Sequence, residues 1–202
     1  MVVRGTTDAL SAGSSAAETD EFTVVARAQD GSTRAFEMLL DRYQTPLFRY
    51  AYRLLNDRSA SEDVVQETFI AAWRGLPTLS SPGAFRGWLY QIATRRVFDV
   101  LRARRPQVEW PDEDDPHPAN FDVASPSQGD PAGLAVQQAQ FEALHLALAT
   151  LPPQQRAAWT MQRIDGLSYD EIAVALSLPV STVRGRIARA RQTLAERMAS
   201  WR

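Results

Sequence analysis

The 202-residue chain has no cysteine, no lysine and only two histidines, and it has no apolar run near the roughly 20 residues a membrane-spanning helix needs. Without cysteine there are no disulfides, thiolate zinc sites or thiol nucleophiles, which suits a reducing compartment. His117 and His145 do not make a metal cluster, and nucleophile and metal motifs are missing. No catalytic residue, metal or cofactor is therefore expected. The N-terminus, MVVRGTTDALSAGSSAAETDE, lacks the apolar core of a secretory signal, so a cytoplasmic location without membrane insertion is expected.

Arginine carries all the positive side-chain charge, and the net charge of −2 hides how it is distributed. Arg95, Arg96, Arg102, Arg104 and Arg105 crowd one segment, none occurs between Arg105 and Arg156, and a second cluster fills the C-terminal stretch. Two basic patches flank an acidic spacer, a pattern suited to more than one partner surface.

The most informative stretch runs from Leu151 to Arg202. Ser168 with Glu171 forms a capping box, after which Tyr169, Ile172, Ala173 and Leu176 recur at helical spacing. Ser177-Leu178-Pro179 forces a turn, and the next helix carries Val183, Ile187, Ala190, Leu194 and Met198 on one stripe. Its opposite face holds Gly185, Ala188, Arg189 and Gln192, flanked by Arg184 and Arg186. A helix that is small and cationic on its free side can lie deep in a DNA major groove. A solvated Arg-rich surface helix has the same composition, but the capped helix and tight turn before it favour a helix-turn-helix.

Upstream, residues 1–19 read as a disordered tail. Phe22, Val25 and Ala26 suggest a short helix ended by Asp30-Gly31, and Ser32 or Thr33 caps a second. Pro46 falls inside that second helix and predicts a kink or break; Asn56-Asp57 closes it. A capping box of Ser59 with Glu62 opens the next helix, with Val65, Phe69, Ala72 and Trp73 inward and Asp63, Gln66 and Glu67 outward. A Ser/Pro/Gly loop follows from Gly75 to Gly83, and then a long helix from about Ala84 to Arg105. Phe85, Leu89, Ile92, Ala93 and Val100 line its core side. Gln91, Arg95, Phe98 and Arg102 share another face beside Trp88, an arrangement suited to single-stranded nucleic acid, although Trp88 equally suits a core. Residues 106–133, rich in Pro and Asp, read as a flexible acidic linker; Trp110 and Phe121 within it suit a segment laid along a partner, and an inert flexible tether fits the composition equally well. Helix resumes from about Leu134 to Ala149.

The succession AFEMLLDRY, SEDVVQETFIAAWRG, FRGWLYQIATRRVFDVLRAR, LPPQQRAAW, GLSYDEIA and VSTVRGRIARAR resembles the bacterial sigma factors of the extracytoplasmic-function (ECF) group, in that family's order and spacing. The resemblance implies an all-α chain of two small helical domains, region 2 at 20–105 and region 4 at 134–202. It also implies a promoter-specificity subunit that binds core RNA polymerase and promoter DNA and helps open the duplex. Asp63, Gln66 and Glu67 would meet the polymerase. The loop with Leu76, Ser80 and Ser81 would capture a flipped base of the −10 element, and Trp88, Gln91, Arg95, Phe98 and Arg102 would grip that single strand. Thr182, Arg184, Gly185, Arg186, Ala188 and Arg189 would lie at the duplex −35 element. Where relatives commonly read Ala-Arg-Asn, this chain reads Ala93-Thr94-Arg95, which puts the −10 preference in question. An anti-sigma factor is the further partner implied. A stand-alone helix-turn-helix regulator is the alternative, and it leaves the SEDVVQETF helix without a role.

Overall fold

In the computed structural model, residues 21–104 and 146–199 are described, with side chains to residue 197. The expectations for the N-terminal tail, the linker with Trp110 and Phe121, both histidines, the start of the Leu134–Ala149 helix and the Met198 side chain lie outside these residues. All the regular elements described are helical. They are α1 (residues 21–29), α2 (Thr33–Leu55), α3 (Arg58–Gly75), α4 (Phe85–Ala103), α5 (residues 146–149), α6 (Pro153–Arg163), α7 (Tyr169–Leu176) and α8 (Val180–Ala199).

Local chemistry sets most of the boundaries. Gly31, at φ 90°, turns the chain out of α1, and Ser32 caps α2 by accepting from the Ala35 amide. Asn56, in the left-handed region at φ 49°, ends α2. The cap of α3 differs from expectation. Asp57, not Ser59, accepts from the Ala60 amide at 3.0 Å, while Glu62 turns to Arg58 at 2.9 Å. The carboxylate two residues earlier takes the orphan amide and starts the helix sooner. Arg104, at the end of α4, reinforces this corner by donating to Asp57 Oδ2 at 2.6 Å and to the Leu55 carbonyl at 3.0 Å.

Pro46 does not break α2, which runs continuously from Thr33 to Leu55. Proline removes one amide donor and crowds the preceding turn. Tyr43 and Leu47 on either side of it are nevertheless buried in the same core, and burying such side chains is worth about 1.5–3 kcal/mol each. Tertiary packing outweighs the local defect. In α3 the inward stripe is rotated by one residue from expectation: Ser61, Val64, Thr68, Phe69 and Ala72 are buried, Val65 is half-buried, and Trp73 is exposed.

α2, α3 and α4 pack on one another as one domain, and α6, α7 and α8 as a second that ends in the helix-turn-helix. The apolar core is continuous between them. It runs from Val25, Leu39, Leu47, Leu54 and Leu89 through Ala157, Met161 and Ile172 to Val183 and Ile187. A smaller cluster of Ala147, Leu148, Leu151, Ala190 and Leu194 anchors α5 on α8. Among the described residues, no helix is long and apolar enough to cross a membrane.

Asp57→Ala is expected to lower the unfolding free energy by about 1 kcal/mol, measured by urea denaturation. The Ala60 amide first, and then Arg104, hold the Asp57 carboxyl below its ordinary value of 3.8. A depressed folded-state value contributes stability above the unfolded one and loses it on acidification. The difference between wild type and variant should thus be steady near neutrality and shrink below pH 3.8.

Candidate nucleic-acid interface

Between α3 and α4 the chain makes two short 3-10 turns, Leu76–Thr78 and Pro82–Ala84. Gln29 of α1 holds the first by donating to the carbonyls of Leu76 at 3.3 Å and Leu79 at 2.8 Å. Ser80 and Ser81 are exposed at the apex. Leu76 must be withdrawn from the candidate surface. Its amide continues the helical path by donating to the Ala72 carbonyl, which rolls the side chain into the core at 0% exposure. Gln29 was not singled out from sequence, because a half-buried glutamine on a short helix carries no motif.

On α4, Trp88 is half-buried against the end of α3. A Cβ placed at Gly75 would stand 3.0 Å from its ring, and the Phe85 ring centroid lies 6.1 Å away. Trp88 therefore braces the loop and is not a free stacking platform. Phe98 is also half-buried against the core. Arg95 and Arg102 are exposed; Arg102 turns to Asp99, and Arg96 pairs with Glu67 of α3 at 3.3 Å. Gln91 donates at 2.9 Å both to the Val174 carbonyl and to Ser177 Oγ of the second domain.

The Ala93-Thr94-Arg95 departure divides in two. Thr94 is buried and donates to the Tyr90 carbonyl at 2.7 Å, so its hydroxyl hydrogen is used and the buried Tyr50 hydroxyl donates to it at 2.8 Å. Burial raises the Tyr50 pKa above its ordinary value. Thr94 thus serves the core, while Arg95 points outward.

The outer face of α3 presents Asp63, Gln66 and Glu67, all exposed as expected. Beside them lies a groove of about 770 Å³ between α2 and α3, lined by Phe36, Leu40, Phe48, Val65, Ile70 and Trp73. Ile70 and Trp73 are 45% and 40% exposed, and the Trp73 ring lies 4.8 Å from that of Phe36. This apolar floor was missed because Trp73 was assigned inward. Its signal was the presence of two large apolar residues on α3 beyond what one buried stripe needs.

The helix-turn-helix forms as the spacing requires. Ser168 and Glu171 complete both arms of the capping box, at 2.7 and 3.2 Å, and Ser177 at φ 55° makes the turn. Val183, Ile187, Ala190 and Leu194 of α8 are buried, which leaves Arg184, Ala188 and Arg189 exposed and Thr182, Gly185 and Arg186 half-exposed. A Cβ at Gly185 would meet nothing within 4 Å, so this face is open. The Arg184 guanidinium lies 5.3 Å from the Tyr169 ring centroid, a cation–π contact from the supporting helix. Tyr169 was read from sequence only as a packing residue.

Two family models match the chain: Sigma-70 region 2 over residues 39–107 and Sigma-70, region 4, over residues 141–194. The RNA polymerase sigma-H factor of Pseudomonas aeruginosa is 37% identical over 183 residues, covering 85% of this chain and 90% of that protein. The ECF RNA polymerase sigma-E factor of Escherichia coli is 35% identical over 175 residues, with the same coverage. Among solved structures, CnrH in complex with the cytosolic domain of CnrY is 28% identical with a TM-score of 0.66, covering 89% of this chain and 97% of that one. The sigma factor RpoE in complex with the anti-sigma factor NepR, from Bartonella quintana, shares the fold at 23% identity and a TM-score of 0.60, covering 84% and 100%.

Gln29→Leu removes both side-chain bonds to the Leu76–Leu79 turn. At about 0.5–1.5 kcal/mol per hydrogen bond, amide hydrogen exchange across residues 76–83 should quicken roughly tenfold. Exchange in the middle of α4 should stay unchanged.

Proposed function

The chain belongs to the ECF group of RNA polymerase sigma factors, and on that premise we propose that it is a promoter-specificity subunit that binds core polymerase, reads −10 and −35 elements and promotes opening of the duplex. The observation that carries this reading is the pairing of both family regions in one chain, region 2 with an exposed loop beside α4 and region 4 with an open cationic face on α8. The working domains are residues 20–105 and 134–202.

Residue roles follow from exposure and chemistry. Asp63, Gln66 and Glu67 form an acid-rimmed edge beside the apolar floor of Ile70 and Trp73, and together they are assigned to core polymerase. Ser80 and Ser81 stand at the loop assigned to the flipped −10 base, and Arg95 and Arg102 to the backbone of that strand. Trp88 and Phe98 shape that surface from beneath. At the −35 element, Arg184 and Arg189 are assigned to base edges and Arg186 to phosphate, with Thr182, Gly185 and Ala188 leaving room for close approach. An anti-sigma protein is a further proposed partner; a solved fold relative is held by one.

In vitro transcription of a fragmented genomic library with the purified chain and core polymerase, against core alone, tests this. Discrete new start sites preceded by a shared pair of elements are expected. Absence of new starts together with failure to bind core would return the C-terminal domain to a stand-alone helix-turn-helix regulator. Arg189→Ala should weaken the −35 contribution about tenfold, in line with a guanidinium on a base edge. Tyr169→Leu keeps every DNA-facing side chain but frees Arg184, and should cost roughly two- to fivefold.

A further inference from the structure

Ser80 and Ser81 stand exposed at the apex of the loop between α3 and α4, and the backbone on either side of Ser80 is extended, with Leu79 at φ −66° and ψ 123° and Ser81 at φ −152° and ψ 135°. This short bridge is pinned at both ends. At the far end the Ser81 carbonyl accepts from the Ala84 amide at 3.0 Å, within the turn that leads into α4. At the near end the Leu79 carbonyl accepts from Gln29 Nε2 at 2.8 Å, across 50 residues of chain. The same side-chain amide donates at 3.3 Å to the Leu76 carbonyl, which also accepts from the Leu79 amide at 3.1 Å. Both partners of Gln29 are carbonyl oxygens, so the NH2 end of its amide, the only end that can donate, must face them.

Pinning that carbonyl orients more than the carbonyl. The Leu79–Ser80 peptide is trans. In a planar trans unit the C=O and N–H point in opposite directions, so a Leu79 carbonyl drawn to Gln29 aims the Ser80 N–H away from α1. That N–H and the two serine hydroxyls form a compact polar set for the edge of a base, provided that the peptide plane does not rotate.

Gln29 is itself carried on a fixed support. It is the last helical residue of α1, whose Val24, Val25 and Ala28 are buried. The start of α1 is tied to α2 through Glu21, which accepts from Arg42 at 2.9 Å and from the Tyr43 hydroxyl at 2.7 Å. Just past Gln29, Gly31 at φ 90° reverses the chain, and the Ser32 amide donates to the Arg27 carbonyl at 3.0 Å. A side chain held this firmly can transmit position as well as bind.

We infer that Gln29 is a positioning residue for base capture: by pinning the Leu79 carbonyl it sets the orientation of the Ser80 amide and the height of both serines, and so sharpens the choice of base at one −10 position without touching DNA. This role rests on the −10 reading of the loop proposed above. A loosened apex penalises the base that enters it, because an apex correctly set for only a fraction of the time lowers the apparent affinity by that fraction. A wrong base, which gains little from the apex, loses little. The signature is a fall in discrimination at one position, not a uniform fall in transcription.

Competition transcription reads this directly. Holoenzyme formed from the full chain and core polymerase is offered a promoter identified with the parent protein, together with copies carrying each single substitution across the −10 and −35 elements. With the parent, the wrong base at the captured −10 position should cost about tenfold or more. Gln29→Glu keeps the shape of the side chain and loses the donor, and Gln29→Leu loses both polar ends. In each, the cost at that position should fall to about two- to threefold, while the costs across the −35 element stay those of the parent. Gln29→Lys restores a donor and should return the cost to within about twofold of the parent value. Far-ultraviolet circular dichroism and core binding, both expected to match the parent, check that each variant folds and loads. Full discrimination in Gln29→Glu and Gln29→Leu would overturn the role, as would an equal loss at every promoter position or a Gln29→Lys chain no better than Gln29→Glu. A parent with no base preference anywhere in the −10 element would sink the −10 reading itself, and this role with it.

Discussion

One helix, α4, must satisfy three neighbours at once, and the architecture follows from how its 19 residues divide among them. Phe85, Leu89, Tyr90, Ala93 and Val97 are buried, Gly87 admits α7, and Arg95, Arg96 and Arg102 remain outside. A helix this surrounded has little tolerance for volume change, since packed interiors relax only partly around a deletion. Its two ends are fixed by different means. Trp88 and Phe85 brace the loop against α3, while Arg104 ties the last turn to Asp57 and Leu55.

Arginine serves as structural mortar as well as on the faces assigned to DNA. Arg156 is buried in the second domain, yet it donates to the carbonyls of Leu54, Ala149 and Leu151 at 3.3, 2.9 and 3.1 Å. Those carbonyls lie at or near the ends of α2 and α5, where intrahelical donors run out. A planar guanidinium with five donors suits three converging acceptors better than an ammonium would, which fits a chain that has arginine as its only strong cation. The same chemistry makes the function harder to read from charge alone. Arg86, Arg104 and Arg156 hold the fold, Arg184 and Arg189 face outward on α8, and nothing in residue type separates the two groups.

A promoter-specificity subunit has to bind several partners in sequence, and the surfaces found here are segregated in a way that permits it. The acid-rimmed groove between α2 and α3 lies apart from the α4–α7 joint, where half-buried Gln91 donates to Val174 and Ser177.

Much of this was legible in the residues themselves, wherever local chemistry decides. The capping box at Ser168 and Glu171, the turn at Ser177, the end of α2 at Asn56 and the inward stripe of α8 depend on interactions within a turn or two of chain, and the structure has them where the spacing put them. The order of the motifs likewise fixed the family, since it needs no coordinates. What tertiary structure decided are the places where a distant neighbour outbids a local preference. Pro46 stays inside α2 because Tyr43 and Leu47 share a core; Leu76 is drawn from the candidate surface into the core and Trp73 joins the outer face. The docking of α7 on α4, with Asp165 driven between two arginines, brings together residues about 80 positions apart. No period or motif encodes that approach, because it depends on shapes that exist only once both domains have folded.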